Sequence, residues 1–119
     1  CRINAEDPDR RFLPRPGTVT EIEVPDSPNV RFDSFLFPGY KIPPYYDSLI
    51  GKLIVTGSSR EKCLEILRDT LFLTQIKGIP TTLTLHRRLV EDPDIMSGCF
   101  NIDFLERWIE KTNLEGGEI

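Results

Sequence analysis

Histidine is almost missing from this 119-residue chain; His86 is the sole example. With one imidazole the usual zinc constellations cannot be assembled, and no metal site is expected. Cysteine is scarce as well. Cys1, Cys63 and Cys99 are too few and too scattered for a disulfide framework, and none forms a Cys-x-x-Cys pair. Reduced thiols and a cytoplasmic location are the simpler expectation. Positive charge is outweighed, with 15 Lys and Arg against 19 Asp and Glu for a net charge of −4. Bulk attraction to nucleic acid or to an anionic membrane is therefore not expected. No apolar run approaches the roughly 20 residues of a membrane span. A phosphate loop is also lacking: before and after "GK" at Gly51-Lys52, Tyr46 and Leu53 occupy the positions of the required Gly and Ser or Thr.

What is present suits one globular domain. The hydrophobic fraction is 39% and the charged fraction 29%, enough to bury a core without staples at this length. The chain starts at Cys1 within "CRINA", which reads as the inside of a strand and follows no signal-peptide pattern. It is expected to be a piece of a longer chain, with part of any active site upstream.

"EDPDRRFLPRPG" (6–17) reads as an ordered loop, since it holds three of the ten prolines and ends in Gly. Its carboxylates offer either a metal cluster or a cap, and a helix or turn cap is favoured. "TVTEIEV" alternates, with Thr20, Ile22 and Val24 on one face and Val19, Glu21 and Glu23 on the other. After the turn "PDSPN", "VRFDSFLF" puts Val30 and Phe32 on one face and Arg31, Asp33 and Phe35 on the opposite one. The short turn suggests that these two strands pair antiparallel. Residues 52–56 read as a strand buried on both faces, bounded by Gly51 and Gly57.

A capping box, Ser58 with Glu61, opens a helix over about 59–74 with Cys63, Leu67 and Leu71 as its apolar stripe. "KGIP" ends it. Thr81 or Thr82 caps a second helix running to about Val90, which "EDPD" stops. A last helix follows Asn101, with Phe104, Leu105, Trp108 and Ile109 as its stripe, Trp108 as core, and 113–119 as a frayed tail after a domain of 1–112. Strands first and helices last imply an α+β fold, a mostly antiparallel sheet with helices on one side.

Two side chains invite a closer reading. His86, mid-helix beside Arg87 and Arg88, reads as solvated or packed rather than catalytic. Arg31 is the one cation on its strand. Its bland reading is a surface arginine paired with a neighbouring carboxylate. The functional reading is a permanently charged fork aimed at a developing oxyanion.

The blocks "CRINAEDP", "FLPRPG", "VRFD", "PPYYDSLIGKLIV", "KGIPTTLTLHRRLVEDP" and "NIDFL" resemble the C-terminal domain of biotin carboxylase, from Cys1 to about residue 112. That enzyme is the ATP-grasp ligase component of biotin-dependent carboxylases. The wording "GYKIPPYYDS" is most similar to acetyl-CoA carboxylase-type subunits. The resemblance implies an α+β domain and a parent enzyme that uses ATP and Mg to activate bicarbonate as carboxyphosphate and then carboxylates carrier-bound biotin.

The resemblance also implies roles. Arg31 matches the arginine held to stabilise the enolate-like ureido oxygen of deprotonated biotin. Ile102 matches the isoleucine that packs on the adenine of ATP. Two departures accompany this: Ser97-Gly98-Cys99-Phe100 replaces a frequent His-Gly-Gly-Thr, and Asp103 stands where histidine is common. Implied partners are the upstream ATP-grasp domains, the biotin carboxyl carrier protein and the carboxyltransferase. A weak homodimer is implied through Thr56 and the helix of 59–74, where Thr56, Ser58, Ser59 and Arg60 offer no hydrophobic anchor. Pro43-Pro44, Tyr45, Tyr46 and Asp47 are expected to shape the entrance of the buried strand, the tyrosine hydroxyls and Asp47 satisfying backbone groups. The alternative is a non-catalytic interaction module in which the tyrosine ridge and the acidic face serve docking alone.

Overall fold

The structure, a computed structural model, describes residues 1–43 and 47–114. In chain order these form β1 (Arg2–Asn4), β2 (Glu6–Asp7), a 3-10 turn (Pro8–Arg10), β3 (Leu13–Pro14), β4 (Glu21–Glu23), β5 (Val30–Ser34) and β6 (Leu49–Val55). Then come α1 (Arg60–Leu73), β7 (Gln75–Lys77), α2 (Leu83–Leu89), α3 (Pro93–Ser97) and α4 (Phe104–Leu114). Every named strand pairing is antiparallel, so the α+β class holds. The strands make three small sheets, ordered β1-β6-β5, β2-β3 and β4-β7. With extents of 39 × 38 × 21 Å, the molecule is about two layers thick.

The seven residues of β6 are long enough to pair with β1 along one edge and β5 along the other. Opposed residues share a face. Phe32 faces Leu53, and these join Ile3, Leu71, Leu83 and Val90 in the core. Lys52 stands opposite both Arg2 and Asp33, and all three are exposed on the open face. Gly51, expected to bound the strand, lies inside it. A Cβ there would sit 2.7 Å from the Phe32 ring, so glycine lets that ring lie across β6.

The expected β4–β5 hairpin does not form. β4 pairs with β7, Ile22 against Ile76, and β5 pairs with β6. The turn itself is real, since Val30 N–H donates to Ser27 O and Asn29 N–H to Ser27 Oγ. It redirects the chain rather than folding it back. Sequence adjacency, the usual guide to strand pairing, is overridden because β6 has two edges to fill.

The N-cap of α1 is Ser59, one residue later than expected; its Oγ accepts from Lys62 N–H at 3.1 Å. Lys62 therefore holds the third position and Glu61 has no reciprocal role. The stripe is as expected, with Leu71 fully buried and Leu67 packed on the core. α2 begins after Thr82, whose hydroxyl accepts from Asn4 N–H and donates to Arg2 O; Thr81 Oγ accepts from Leu83 N–H instead. β7 and α3 were not anticipated. The expected boundary at 112 falls inside α4, which continues to Leu114, and 115–119 lie outside the described residues.

In the acidic loop Asp7 acts as a cap, accepting from Asp9 N–H at 3.1 Å with Arg10 and Arg15 each 3.7 Å away. Among the described residues no cluster of His, Cys, Asp and Glu could hold a metal, and no helix is long and apolar enough to cross a membrane. His86 packs as read: its Nε2 is 2.8 Å from Arg2 O, and burial pushes its pKa below the ordinary value against the pull of that carbonyl.

Arg87 does more than decorate α2. Its Nε donates to Leu71 O at 2.8 Å and its Nη2 to Thr74 O at 2.5 Å. These are carbonyls at the C-terminal end of α1, where partners are missing and the dipole favours a cation. Arg87→Met keeps the aliphatic stem and removes the fork. It should cost about 1.5–3 kcal/mol, the worth of hydrogen bonds to a charged group. A lower urea midpoint with an unchanged slope is the expected reading.

Candidate functional site

Strand alternation aims Arg31 away from the core. Its neighbours Val30 and Phe32 pack inward, while the Arg31 side chain is 68% exposed on the open face of the three-stranded sheet. Asp33, two residues on and on the same face, brings Oδ1 to 3.1 Å from Arg31 Nε. The neighbouring carboxylate foreseen from the alternation is thus present. Across the ladder Arg31 opposes Ile54 and Asp33 opposes Lys52. Three cations (Arg2, Lys52 and Arg31) and one acid thus share this face, although the chain is acidic as a whole. A cavity of about 170 Å³ opens at the Asp33 end, lined by Asp33, Ser34, Phe35, Leu49, Gly51 and Lys52 among others. The chemistry available is the stabilisation of an anion.

Ile102 lies in the loop between α3 and α4. Gly98, with φ of 79°, caps α3 in the left-handed region, and Cys99 N–H donates back to Asp94 O. Asn101 then turns the chain, its Oδ1 accepting from Asp103 N–H and Arg107 Nη2, each at 3.1 Å. Ile102 is left 98% exposed, an aliphatic side chain with nothing over it. A flat apolar partner such as a purine ring fits that chemistry. The loop is anchored through Trp108, which is half-buried beside α2 rather than in the core. Its Nε1–H donates to Asp92 Oδ2 at 3.1 Å, and Arg88 stacks on its ring at 5.3 Å. Asp92 also caps α3 through Oδ1.

Arg31 and Ile102 stand on different elements, and no hydrogen bond or ion pair among the described residues joins them. A wider groove of about 780 Å³ between α1 and α3 is lined by neither. Of the aromatic approach to β6, Pro44, Tyr45 and Tyr46 lie outside the described residues, so the reading of those hydroxyls falls there too. Asp47 does satisfy a backbone group, accepting from Leu49 N–H at 3.0 Å. Tyr40 packs against Phe35 and Phe37, with centroids 5.2 and 5.3 Å away.

Local pattern missed two positioning arginines, Arg87 and Arg60. Arg60, at the start of α1, donates to Met96 O and to Ile95 O, the latter at 2.6 Å, closing the C-terminal end of α3. Nothing in the sequence except a cation near a helix end could have signalled them. The lack of a hydrophobic anchor around α1 is also corrected: Phe72 is 74% and Leu73 56% exposed at its C-terminal end.

The profile of a family described as "Biotin carboxylase C-terminal domain" matches residues 1–107. A biotin carboxylase of Nostoc sp. is 45% identical over 106 residues, 89% of this chain and 24% of that protein. Biotin carboxylase 1 of Bacillus subtilis is 44% identical over 108 residues, again 24% of its length. Among solved structures, the biotin carboxylase domain dimer of Hydrogenobacter thermophilus 2-oxoglutarate carboxylase, in complex with MgADP, ADP and bicarbonate, superposes with a TM-score of 0.86 at 40% identity. It is covered over 90% of this chain and 24% of that one. A Campylobacter jejuni biotin carboxylase described as a beta-gamma-ATP complex gives 0.84 at 39%, with the same coverage. The chain spans about a quarter of the length of these relatives. With the profile covering nearly its whole length, the chain belongs to the biotin carboxylase C-terminal domain family.

Proposed function

We propose that this chain is one wall of the active site of an ATP-dependent biotin carboxylase, an acetyl-CoA carboxylase-type ligase that uses ATP, Mg and bicarbonate to carboxylate carrier-bound biotin. The observation that carries the reading is Arg31, an exposed guanidinium on edge strand β5 that shares a face with Lys52 and Arg2. The bound nucleotide, magnesium and bicarbonate of the relative from Hydrogenobacter thermophilus support the substrate set.

Biotin becomes a nucleophile only after its ureido nitrogen loses a proton, which leaves charge on oxygen. The planar guanidinium of Arg31 would hold that oxygen. Ile102 would lie against the adenine. Magnesium and most of the nucleotide contacts belong to the upstream ATP-grasp domains. The biotin carboxyl carrier protein would deliver substrate and a carboxyltransferase component would receive product. The described cysteines, all free, fit a reducing compartment, and the cytoplasm is our assignment. The surface of Thr56 and α1 would carry a homodimer, with Phe72 as an anchor the weak-dimer expectation lacked; the relative above, described as a dimer, supports dimerisation.

The test begins with the domain and ends with the parent. Titrated by calorimetry, the isolated domain should give no measurable heat with ATP, because one aliphatic contact cannot hold a nucleotide. The parent chain should carboxylate free biotin when given ATP, Mg and bicarbonate. Micromolar ATP binding by the isolated domain would refute the division of labour, and a parent without biotin-dependent ATP turnover would refute the function.

A further inference from the structure

Arg31 has a companion whose placement is not explained by stability. An exposed ion pair contributes about 0–1 kcal/mol, and Arg31 and Asp33 are 68% and 49% exposed. Their separation along β5 is i to i+2, so both point from one face of a strand pinned by five consecutive register pairs to β6. The contact is made from Nε, at 3.1 Å to Oδ1. That ion pair engages Nε, and among the described residues neither terminal nitrogen of Arg31 makes a hydrogen bond, which leaves the fork that grips an oxyanion open to a ligand.

We propose that Asp33 is the positioning residue for Arg31, holding the guanidinium by Nε so that the Nη pair is presented to the anionic oxygen of the substrate. This inference rests on the substrate-facing role of Arg31 proposed above. An arginine side chain carries about 2 kcal/mol of rotamer entropy, and a partner that fixes it before the substrate arrives removes part of that cost from the reaction. Lys52 on the neighbouring strand faces Asp33 across the ladder. The carboxylate thus lies between two cations on one face of the sheet.

The experiment uses the intact parent enzyme with free biotin and compares Arg31→Ala, Asp33→Asn, Asp33→Glu and the double variant Arg31→Ala/Asp33→Asn. Asp33→Asn should lower kcat/KM for biotin by roughly 3- to 10-fold, in the lower part of the coupling between contacting groups. It should leave the KM for ATP and the thermal midpoint unchanged, and Asp33→Glu should recover part of the loss. In the Arg31→Ala background Asp33→Asn should have no further effect, because nothing remains to position. A purely structural or field effect of the carboxylate would persist in that background. Suppose Arg31→Ala is severely impaired while Asp33→Asn is unchanged, faster, or additive with it. Asp33 is then a bystander or a competitor and this inference alone is overturned. Suppose instead that Arg31→Ala itself stays within about threefold of the unmodified enzyme, roughly 0.65 kcal/mol. The reading of the site then fails and takes this inference with it.

Discussion

Arg31→Ala in the intact parent enzyme is expected to lower biotin turnover by roughly 100- to 1000-fold, the effect of removing one oxyanion donor, or about 3–4 kcal/mol. Charge appears on the ureido oxygen only as the proton leaves, so the lost interaction is one made in the transition state. The decrease should therefore fall on kcat and kcat/KM together, with ATP and bicarbonate binding little changed. Arg31→Lys should recover little, because a point charge lacks the planar fork. A surface ion pair of no catalytic value would behave otherwise. Arg31 and its partner are well exposed, so loss of that pair alone would cost about 0–1 kcal/mol of stability and leave the rate intact. The two outcomes differ by more than an order of magnitude, so steady-state kinetics with a thermal-melt control separates them.

The largest effect on folding is expected at Gly78, where the chain leaves β7. Its φ is +100°, and a Cβ built there would sit 2.1 Å from Thr18 O and 2.9 Å from Thr20 N. Those backbone atoms belong to the approach to β4, which is tied to this point by Thr20 N–H donating to Lys77 O at 2.8 Å. Gly78→Ala must therefore strain a positive φ, at about 1–3 kcal/mol, and push two backbones apart, at about 1–3 kcal/mol more. The sum, roughly 2–6 kcal/mol, is a large part of the 5–15 kcal/mol typical of a domain. Gly39 is the internal control. Its φ is +97°, but nothing lies within 4 Å of a Cβ there. Gly39→Ala should lose the strain alone, about 1–3 kcal/mol. Equal losses at the two glycines in denaturant melts would show that backbone crowding at the β4–β7 junction is not what demands glycine.

The same junction marks where the sequence stops being legible. "QIK" holds a single apolar residue and follows a strong helix, so nothing local announces β7. Its partner β4 lies more than fifty residues earlier. Gly78 could be read as a stop signal but not as a contact. β5 and β6 were legible as strands because alternation or a continuous apolar run is a local property. Their pairing with each other was not, because the turn after β4 favours a hairpin that two-edged β6 outcompetes. The capping-box pattern with Glu61 favoured Ser58, and the fold chose Ser59.

The candidate site divides in the same way. Alternation alone put Arg31 and Asp33 on one open face, and the ion pair followed. Ile102 had no physical signature at all. A lone aliphatic in a loop reads as incidental, and its 98% exposure acquires meaning only with an occupant. The two arginines that close the ends of α1 and α3 were invisible for another reason: each acts on carbonyls at least thirteen residues away.

The division of labour between the two site residues is tested most directly by one paired measurement on the parent enzyme. Arg31→Ala and Ile102→Asp are compared for kcat with free biotin and for ATP affinity by calorimetry. The prediction is a crossed result: Arg31→Ala loses biotin turnover by at least about 100-fold and keeps its ATP affinity. Ile102→Asp, which sets a charge against the base, weakens ATP and largely keeps kcat at saturating nucleotide. If Arg31→Ala retains biotin turnover within about threefold, or if it loses ATP affinity in step with biotin turnover, Arg31 does not serve the biotin oxyanion and the central claim is contradicted.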